Sequence, residues 1–206
     1  MACSCRMTSS VPREIETERL TLRSARPGDG PELRRAINRS QREFLPWFPF
    51  ASEIKDEETY EAVAKLGAEQ FAAAECYIWR AWEPGGAMVG SVDLHAINLR
   101  VPSCCIGYWV RSDRTRRGYA QEIVRAALQV AFDVLKVVRV EARCDERNQP
   151  SWRFAEALGF QYEGTAHHDD RDADHALCNS RVYALFPASA APRTASSQQT
   201  PPPVSS

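Results

Sequence analysis

The sequence lacks an excess of charge of either sign. Its 206 residues carry 26 Lys and Arg against 27 Asp and Glu, which gives a formal net charge of −1. Non-specific binding to nucleic acid or to an anionic membrane depends on a basic surface, which this balance does not provide. We therefore predict no nucleic-acid and no membrane partner, so any bound polyanion must be held by a few local groups.

Long apolar runs are also missing. No stretch approaches the roughly 20 apolar residues of a membrane span, and the opening MACSCRMTSS has no apolar segment of the kind found in secretory signals. The seven cysteines are odd in number, irregularly spaced and contain no C-x-x-C pair. Reduced thiols in a cytoplasmic protein are the simplest interpretation.

Apolar periodicity is absent from both ends of the chain. Residues 1–13 are small and polar, and residues 187–206 are rich in Pro, Ser, Thr and Gln, so neither can repay the entropy of ordering. Residues 14–186 have an ordinary globular composition and enough length to bury a core without disulfides or metal. We predict one folded domain over residues 14–186 between two disordered tails.

The pattern of this domain predicts mixed α and β structure. Two strand-like runs are joined by a Glu-Pro-Gly-Gly turn at residues 83–86, which is a hairpin signal. From Ala120 to Leu135 the apolar residues recur at helical spacing, which predicts a helix of about five turns, and a strand follows directly. A shorter helix is predicted over residues 150–158. Two more strands flank a polar loop at residues 165–180, which completes an α/β (α+β) domain.

The junction between a buried strand and the long helix is rich in arginine. Strand IGYWV ends at Val110, and the following loop carries four arginines before Gly118, where the helix begins. A helix N-terminus leaves N–H groups unpaired and carries a partial positive charge, so it suits a phosphate or pyrophosphate. Gly118 allows close approach of the backbone, and Arg116 and Arg117 can add charge-assisted hydrogen bonds. Taken alone, the junction is either such a cradle or an ordinary strand-to-helix turn with solvated arginines.

The wider sequence distinguishes between these readings. It has neither the Lys-Ser/Thr of a P-loop nor a three-glycine dinucleotide motif. Instead, residues 106–164 contain, in order, Gly-Tyr-Trp, an R/Q-x-x-G-x-A loop, an amphipathic helix, a strand, an Asn-x-x-Ser helix and Leu-Gly-Phe. This series resembles the GNAT superfamily of N-acetyltransferases, RimJ/RimL type. The opening ETERLTLRSARPGD and the closing RVYALF extend the resemblance to roughly residues 14–186, and the ordered series is specific where one motif alone is weak.

The resemblance implies a GNAT fold and a co-substrate. The fold would be a twisted, mostly antiparallel mixed sheet of about seven strands with about four helices, splayed between the strands at 105–110 and 137–143. The pantetheine arm of acetyl-CoA would insert there like an extra strand. The implied activity is transfer of acetyl to a primary amine, either a protein N-terminus or the α-amine of an amino acid or peptide, without a metal. A homodimer is common among such relatives.

The resemblance also assigns positions in an acetyl-CoA site. Main-chain groups of Trp109, Val110 and Arg111 would bind pantetheine and the thioester carbonyl. Asn148 and Ser151 match the Asn-x-x-Ser that lies beside the pantetheine arm and the thioester sulfur. The main-chain amides that would hold the pyrophosphate are those of Arg116, Arg117, Gly118, Tyr119 and Ala120.

The implied chemistry is direct attack of a neutral amine on the thioester carbonyl within a ternary complex. It needs a route for the ammonium proton, an N–H donor to the developing oxyanion and assistance to the departing thiolate. The Val110 N–H is our candidate oxyanion donor, and Ser151 is our candidate for assisting the thiolate. Capping of the helix at 150–158 explains Ser151 equally well.

Two positions depart from the family pattern. Thr115 occupies the first place of R/Q-x-x-G-x-A, which weakens one phosphate contact unless Arg114 or Arg116 replaces it. Cys105 stands where relatives often carry a glutamate as general base. A thiol with an ordinary pKa of ~8.5 is a poor substitute at pH 7. We therefore interpret Cys105 as a small buried hydrophobe rather than as a base or an acetylated nucleophile.

Other candidate groups lie outside the acetyl-CoA motifs. Asp93 and His95 share one face of a strand, so either could take the proton of the amine through water, although His95 could equally be a hydrogen-bonded sheet residue. The segment HHDDRDADHALC (167–178) has no recognised metal-ligand spacing, and its acidity favours a cationic amine. The aromatic segment 44–50 would form the opposite wall of the acceptor side, or else belong to the core or a dimer contact.

Two alternatives to α-amine acetylation stay open. One is a small-molecule acetyltransferase that acts on polyamines or aminoglycosides. The other is an acyl-CoA-binding sensor without turnover, which the departure at Cys105 keeps in play. Acceptor loops vary freely on a shared scaffold, so the sequence does not identify the acceptor amine.

Overall fold

The computed structural model describes residues 10–51 and 55–187. The tails predicted at 1–13 and 187–206 therefore lie outside the described residues, apart from residues 10–13 and 187. Within the described ranges, no helix is both long and apolar enough to cross a bilayer. The elements are β1 (Glu14–Glu16), β2 (Thr21–Ser24), α1 (Gly30–Phe44), α2 (Glu57–Ala73), β3 (Tyr77–Trp82), β4 (Met88–Asn98), β5 (Ser103–Val110), α3 (Tyr119–Gln129), β6 (Arg139–Asp145), α4 (Gln149–Ala157), β7 (Gln161–Arg171) and β8 (Leu177–Leu185).

The eight strands form one mixed sheet in the order β1-β2-β3-β4-β5-β6-β8-β7. All neighbouring pairs are antiparallel except β5 and β6, which are parallel. A parallel pair needs a crossover connection, and α3 supplies it. The predicted fold class is therefore confirmed, with the three-residue β1 adding a strand to the expected number.

The parallel pair β5–β6 is short. Its register runs only from Ser103 opposite Arg139 to Cys105 opposite Glu141. Beyond that point β5 continues to Val110 without a described partner on this side, while β6 remains paired with β8 as far as Asp145. The sheet is thus splayed at the predicted place.

The prediction of a polar loop at residues 165–180 is wrong. The structure places most of this segment in strands, because β7 runs on to Arg171 and β8 begins at Leu177, with only residues 172–176 between them. Most of β7 is exposed, so it lacks the alternation of apolar residues that marks a half-buried strand. Charged side chains are also usual on an edge strand, where they discourage pairing with another chain.

The long helix predicted from Ala120 to Leu135 changes form near its end. α3 is α-helical to Gln129, and residues 130–134 form one π-helical turn. The Leu135 N–H donates to the Val130 carbonyl, five residues back, and Lys136 has a positive φ of 56°. This wider turn lets the chain reverse into β6 while Leu135 stays buried.

Two apolar clusters lie on opposite faces of β5. Tyr108 and Val110 pack against the larger cluster, which contains the buried face of α3, whereas Trp109 packs against a smaller cluster formed by α1, Tyr60 of α2 and Met88 of β4. Alternate side chains of a strand point to opposite faces. Side-chain packing therefore holds the last residues of β5 in place on both faces of the sheet.

We predict that Ile123→Ala lowers the free energy of unfolding by about 2–5 kcal/mol, the cost of truncating a buried Ile. Ile123 is fully buried, and its Cδ1 lies where α3 meets Gly90 of β4. Chemical denaturation of both proteins would measure the change. Leu66→Ala is the matched control, because Leu66 is 53% exposed on α2 and should change the value by no more than ~0.5 kcal/mol. Equal effects of the two substitutions would contradict this placement of α3.

Candidate active site

Two clefts meet at the splay between β5 and β6. The helix-side cleft, about 790 Å³, lies against the start of α3 and against α4, and Val110, Ala120 and Phe154 line it. The hairpin-side cleft, about 510 Å³, lies against β6 and the β7–β8 hairpin. The residues that line both clefts are Trp47, Phe48, Tyr108, Asn148 and Ser151. A molecule reaching through the splay would therefore pass Tyr108 and Ser151.

The backbone of β5 presents polar groups to the splay. The Arg111 N–H donates to the Val89 carbonyl of β4 at 2.8 Å, and in an antiparallel ladder alternate residues turn their backbone groups to the same neighbour. Arg111 and Trp109 therefore face β4. Tyr108 and Val110 face the other side, where β6 has diverged. Of the three residues predicted to offer main-chain bonds, the structure directs only Val110 into the gap.

Arg111, which the sequence places in the acetyl-CoA site, has partners within the protein for its side chain and its backbone. It is 2% exposed, and its guanidinium donates to Asp113 at 2.6 Å and to the Met88 carbonyl at 2.9 Å. Its carbonyl accepts from the Arg114 N–H at 2.8 Å, so both of its backbone groups and its side chain are already used. Trp109 pairs with Ser91 in β4, and its indole packs on the ring of Phe44, with 5.5 Å between the centroids.

The loop before α3 turns sharply. Arg116 and Gly118 both have positive φ, 60° and 81° respectively, and Gly118 immediately precedes the first turn of α3. The amides of that turn have no carbonyl one turn back to bond. The side chains of Arg116 and Arg117 are exposed and form no ion pair within residues 10–51 and 55–187. The exposed Arg116 and Arg117 therefore stand next to the amides of the first turn of α3, whose own carboxylate, Glu122, is paired with Arg19.

The sequence analysis missed the residue that holds this loop. Arg19, in the turn between β1 and β2, donates to the Arg117 carbonyl and to the Glu122 carboxylate, both at 2.8 Å. It also lies over the ring of Tyr119. A Cβ added at Gly118 would come within 3.2 Å of this guanidinium. No sequence signal links Arg19 to Glu122, because 103 residues separate them.

Thr115 and Arg114 both have other partners. The Thr115 hydroxyl donates to the Ser112 carbonyl at 2.9 Å, which closes a short 3-10 turn. Arg114 donates to Glu83 at 3.1 Å and to Asp113 at 3.3 Å. Of the two arginines considered as replacements for the missing R/Q side chain, only Arg116 is therefore unpaired within the described ranges.

Asn148, rather than Ser151, caps α4. The Asn148 Oδ1 accepts from the Ser151 N–H at 3.3 Å, as an N-cap side chain does. The Ser151 hydroxyl is left to face the clefts, where its Oγ lies 3.4 Å from the Tyr108 hydroxyl. Burial raises the pKa of Tyr108 to about 12, so this phenol is neutral at physiological pH.

Asp93 and His95 form a hydrogen-bonded pair, with 2.6 Å between Oδ1 and Nδ1. The bond from Asp93 raises the pKa of His95 above its ordinary value. Asp93 approaches the hairpin-side cleft at Gly107, because a Cβ at Gly107 would lie 2.8 Å from its Oδ2. Cys105 is opposite His95 in the register. Its pKa is raised by burial and by Glu141, so it stays a thiol at neutral pH.

The side chains that line the hairpin-side cleft include more carboxylates than basic groups. Asp169 accepts from Arg143 at 3.2 Å, and Asp172 accepts from Arg147 at 3.2 Å. The Asp170 carboxylate accepts the Arg171 N–H. The remaining wall is aromatic, since Trp47 and Phe48 of the predicted 44–50 segment lie across from these aspartates. Among the described residues no group of three or more His, Cys, Asp or Glu could hold a metal ion.

The comparisons with known proteins agree with this geometry. Residues 19–161 match the acetyltransferase (GNAT) domain family. The chain is 27% identical over 154 residues to Bacillus subtilis (strain 168) YdaF, named provisionally as a ribosomal N-acetyltransferase, which covers 72% of this chain and 81% of that protein. A Vibrio cholerae structure described provisionally as a ribosomal-protein-serine acetyltransferase is 25% identical, with a TM-score of 0.74 over 87% of this chain and 100% of that one.

A more distant structure shares the fold. Mycobacterium smegmatis RimJ, solved with CoA-disulfide, is 23% identical with a TM-score of 0.71 and covers 85% of each chain. A splayed mixed sheet beside a helix N-terminus with two exposed arginines, together with these matches, defines an N-acetyltransferase. The chain belongs to the GNAT acetyltransferase family.

We predict that His95 titrates above 6.5, its ordinary pKa. Because the folded pKa is raised, the protonated pair with Asp93 stabilises the fold fully below about pH 6.5, and this stabilisation is lost as pH rises through the folded pKa. A titration of the His95 ring signals by NMR measures the value. Asp93→Asn should lower it, whereas the matched change Asp133→Asn, in the π-helical turn after α3, should not. If the pKa of His95 were the same in Asp93→Asn as in the unmodified protein, the pairing would be contradicted.

Proposed function

We propose that the protein acetylates a primary α-amine, either a protein N-terminus or the α-amine of an amino acid or peptide, using acetyl-CoA without a metal. The observation that carries the proposal is the Val110 N–H, which is turned away from β4 into the splay, beside the helix-side cleft. A thioester in the helix-side cleft and an amine in the hairpin-side cleft would meet beside that donor. The relatives named as ribosomal and ribosomal-protein acetyltransferases support a protein N-terminus as acceptor.

The chain has groups that fit each part of acetyl-CoA. The amides at the start of α3, with Arg116 and Arg117, match the charge and hydrogen-bonding capacity of a pyrophosphate. The free backbone edge of β5 at Tyr108 and Val110 matches the amides of a pantetheine arm. The co-substrate supplies the activated acetyl group, and these residues bind and orient it.

The transfer requires an oxyanion donor, a proton acceptor and a hydrogen-bond donor to the leaving thiolate. The Val110 N–H stabilises the oxyanion that forms as the amine nitrogen bonds to the carbonyl carbon. The Asp93–His95 pair accepts the proton of the amine through water, with His95 neutral above its raised pKa. As the C–S bond breaks, its electron pair goes to sulfur, and the Ser151 hydroxyl donates a hydrogen bond to that thiolate. Asn148 fixes Ser151 by capping α4.

A second candidate acceptor is a polycation such as a polyamine or an aminoglycoside. The aspartates of the hairpin-side cleft, including Asp170, favour it. The two acceptor classes differ in their response to salt, because a polycation loses several screened attractions while a single ammonium loses one. Measuring the KM of the preferred acceptor at low and at high salt separates them. A steep increase with salt supports the polycation and argues against the α-amine.

The third reading is a sensor that binds acetyl-CoA without turnover. It is tested by release of the CoA thiol from acetyl-CoA in the presence of peptides, amino acids, polyamines and aminoglycosides. Release that depends on an amine supports the proposed transferase. Tight binding of acetyl-CoA without release to any amine would overturn it in favour of the sensor, whereas failure to bind acetyl-CoA would overturn both.

We predict that Gly118→Trp weakens acetyl-CoA binding at least tenfold, a loss of about 1.4 kcal/mol or more. The residue has a φ of 81°, and a Cβ there already approaches Arg19, so a large side chain displaces the loop. Calorimetric titration with CoA measures the affinity. Gly85→Trp is the matched control, because a Cβ at Gly85 meets nothing within 4 Å. Unchanged affinity in the folded Gly118 variant would contradict a pyrophosphate site at α3.

A further inference from the structure

The Tyr108 hydroxyl lies where the two clefts join, and no step derived so far uses it. Tyr108 lines both clefts, as Ser151 does. Its ring is held against Phe154 of α4, with 5.2 Å between the centroids. Its Oη lies 3.4 Å from the Ser151 Oγ. That distance is long for an O–H···O bond, and such bonds often tighten when the substrate is bound.

The hydroxyl of Ser151 has neighbours of two kinds. On one side is the Tyr108 phenol, 3.4 Å away, and on the other is the hairpin-side cleft, which Cys144 also lines. A serine hydroxyl has one proton to donate but can accept two hydrogen bonds. If Tyr108 donates to Ser151, the single Ser151 proton is free for a sulfur atom.

We propose that Tyr108 is a positioning residue for the transfer, because its hydroxyl donates to Ser151 and so directs the Ser151 proton toward the sulfur of the leaving CoA. The inference rests on the proposed function and gives a role to Tyr108, the tyrosine of Gly-Tyr-Trp, to which the sequence alone assigns none. Two hydrogen bonds in series also polarise each other, which makes Ser151 a stronger donor.

In the proposed step, bonds and charges balance without transfer of a proton from Tyr108. The C–S bond breaks, its electron pair becomes the thiolate of CoA, and the carbonyl re-forms as the oxyanion collapses. The proton lost by the amine nitrogen leaves through water. Ser151 and Tyr108 keep their protons and only strengthen their hydrogen bonds as negative charge develops on sulfur.

The test is the single-turnover rate of acetyl transfer in Tyr108→Phe. The acceptor is the amine that gives the fastest CoA release, or water if no amine is accepted, since hydrolysis expels the same thiolate. We expect the rate to fall about fivefold, the effect of one lost hydrogen bond, with the affinity for CoA unchanged. The factor should be constant between pH 6 and pH 9, because the phenol stays protonated there.

A double-mutant cycle separates positioning from a merely structural role. If Tyr108 acts through Ser151, then Tyr108→Phe has no further effect on the rate in a Ser151→Ala background. Tyr162→Phe is the matched control, because its hydroxyl also bonds another hydroxyl, that of Thr165 at 2.7 Å, on exposed β7. It should leave the rate unchanged.

Specific results would overturn the inference. An unchanged rate in Tyr108→Phe, additive effects with Ser151→Ala, or the loss of a limb of the pH profile would each contradict it. None of these results would contradict the proposed function. That proposal is contradicted only if no amine is acetylated. Should Tyr108→Phe fold poorly, 3-fluorotyrosine at position 108 keeps the ring and strengthens donation, so the rate should rise, and a fall would contradict the inference.

Discussion

The site depends on the early end of pairing between β5 and β6. Three register pairs hold the strands together, from Ser103–Arg139 to Cys105–Glu141, and then they separate. A backbone N–H or carbonyl left unpaired inside a protein is costly, so this edge of β5 is stable only where water or a ligand can reach it. The two clefts provide that access at Tyr108 and Val110. The early end of pairing thus leaves a backbone edge of β5 that a ligand can reach.

The surrounding structure keeps the splay open. β5 is fixed to β4 along its length and ends at the buried Arg111, whose guanidinium bonds the Met88 carbonyl. On the other side β6 is held by six register pairs with β8. Neither strand can move to close the gap without breaking these bonds. The N-terminus of α3 is fixed independently, because Arg19 bonds Glu122 and the Arg117 carbonyl.

The sequence predicts the parts of this site that are local and misses those that are not. The order of motifs from Gly-Tyr-Trp to Asn-x-x-Ser predicts the fold class, the position of the splay and the loop before α3. It does not show which residues of β5 face the gap. The hydrogen bond from Arg111 to Val89 shows that the backbone groups of Trp109 and Arg111 face β4, whereas those of Val110 face the gap. The exposed strand β7 has no apolar periodicity and reads as a loop. Contacts between distant residues, such as Tyr108 with Ser151, leave no pattern.

The departure at Cys105 becomes interpretable when its neighbours across the sheet are considered. Two carboxylates flank that position. Glu141 lies opposite Cys105 on β6, and although burial would raise its pKa, hydrogen bonds from Arg143 and Arg139 lower it below the ordinary value. Such a group binds a proton weakly. Asp93 instead bonds His95 and lies over Gly107, where only glycine leaves it room. Because histidine is the side chain that ordinarily changes charge near physiological pH, we propose the Asp93–His95 pair, rather than Glu141 or the thiol at position 105, as the base.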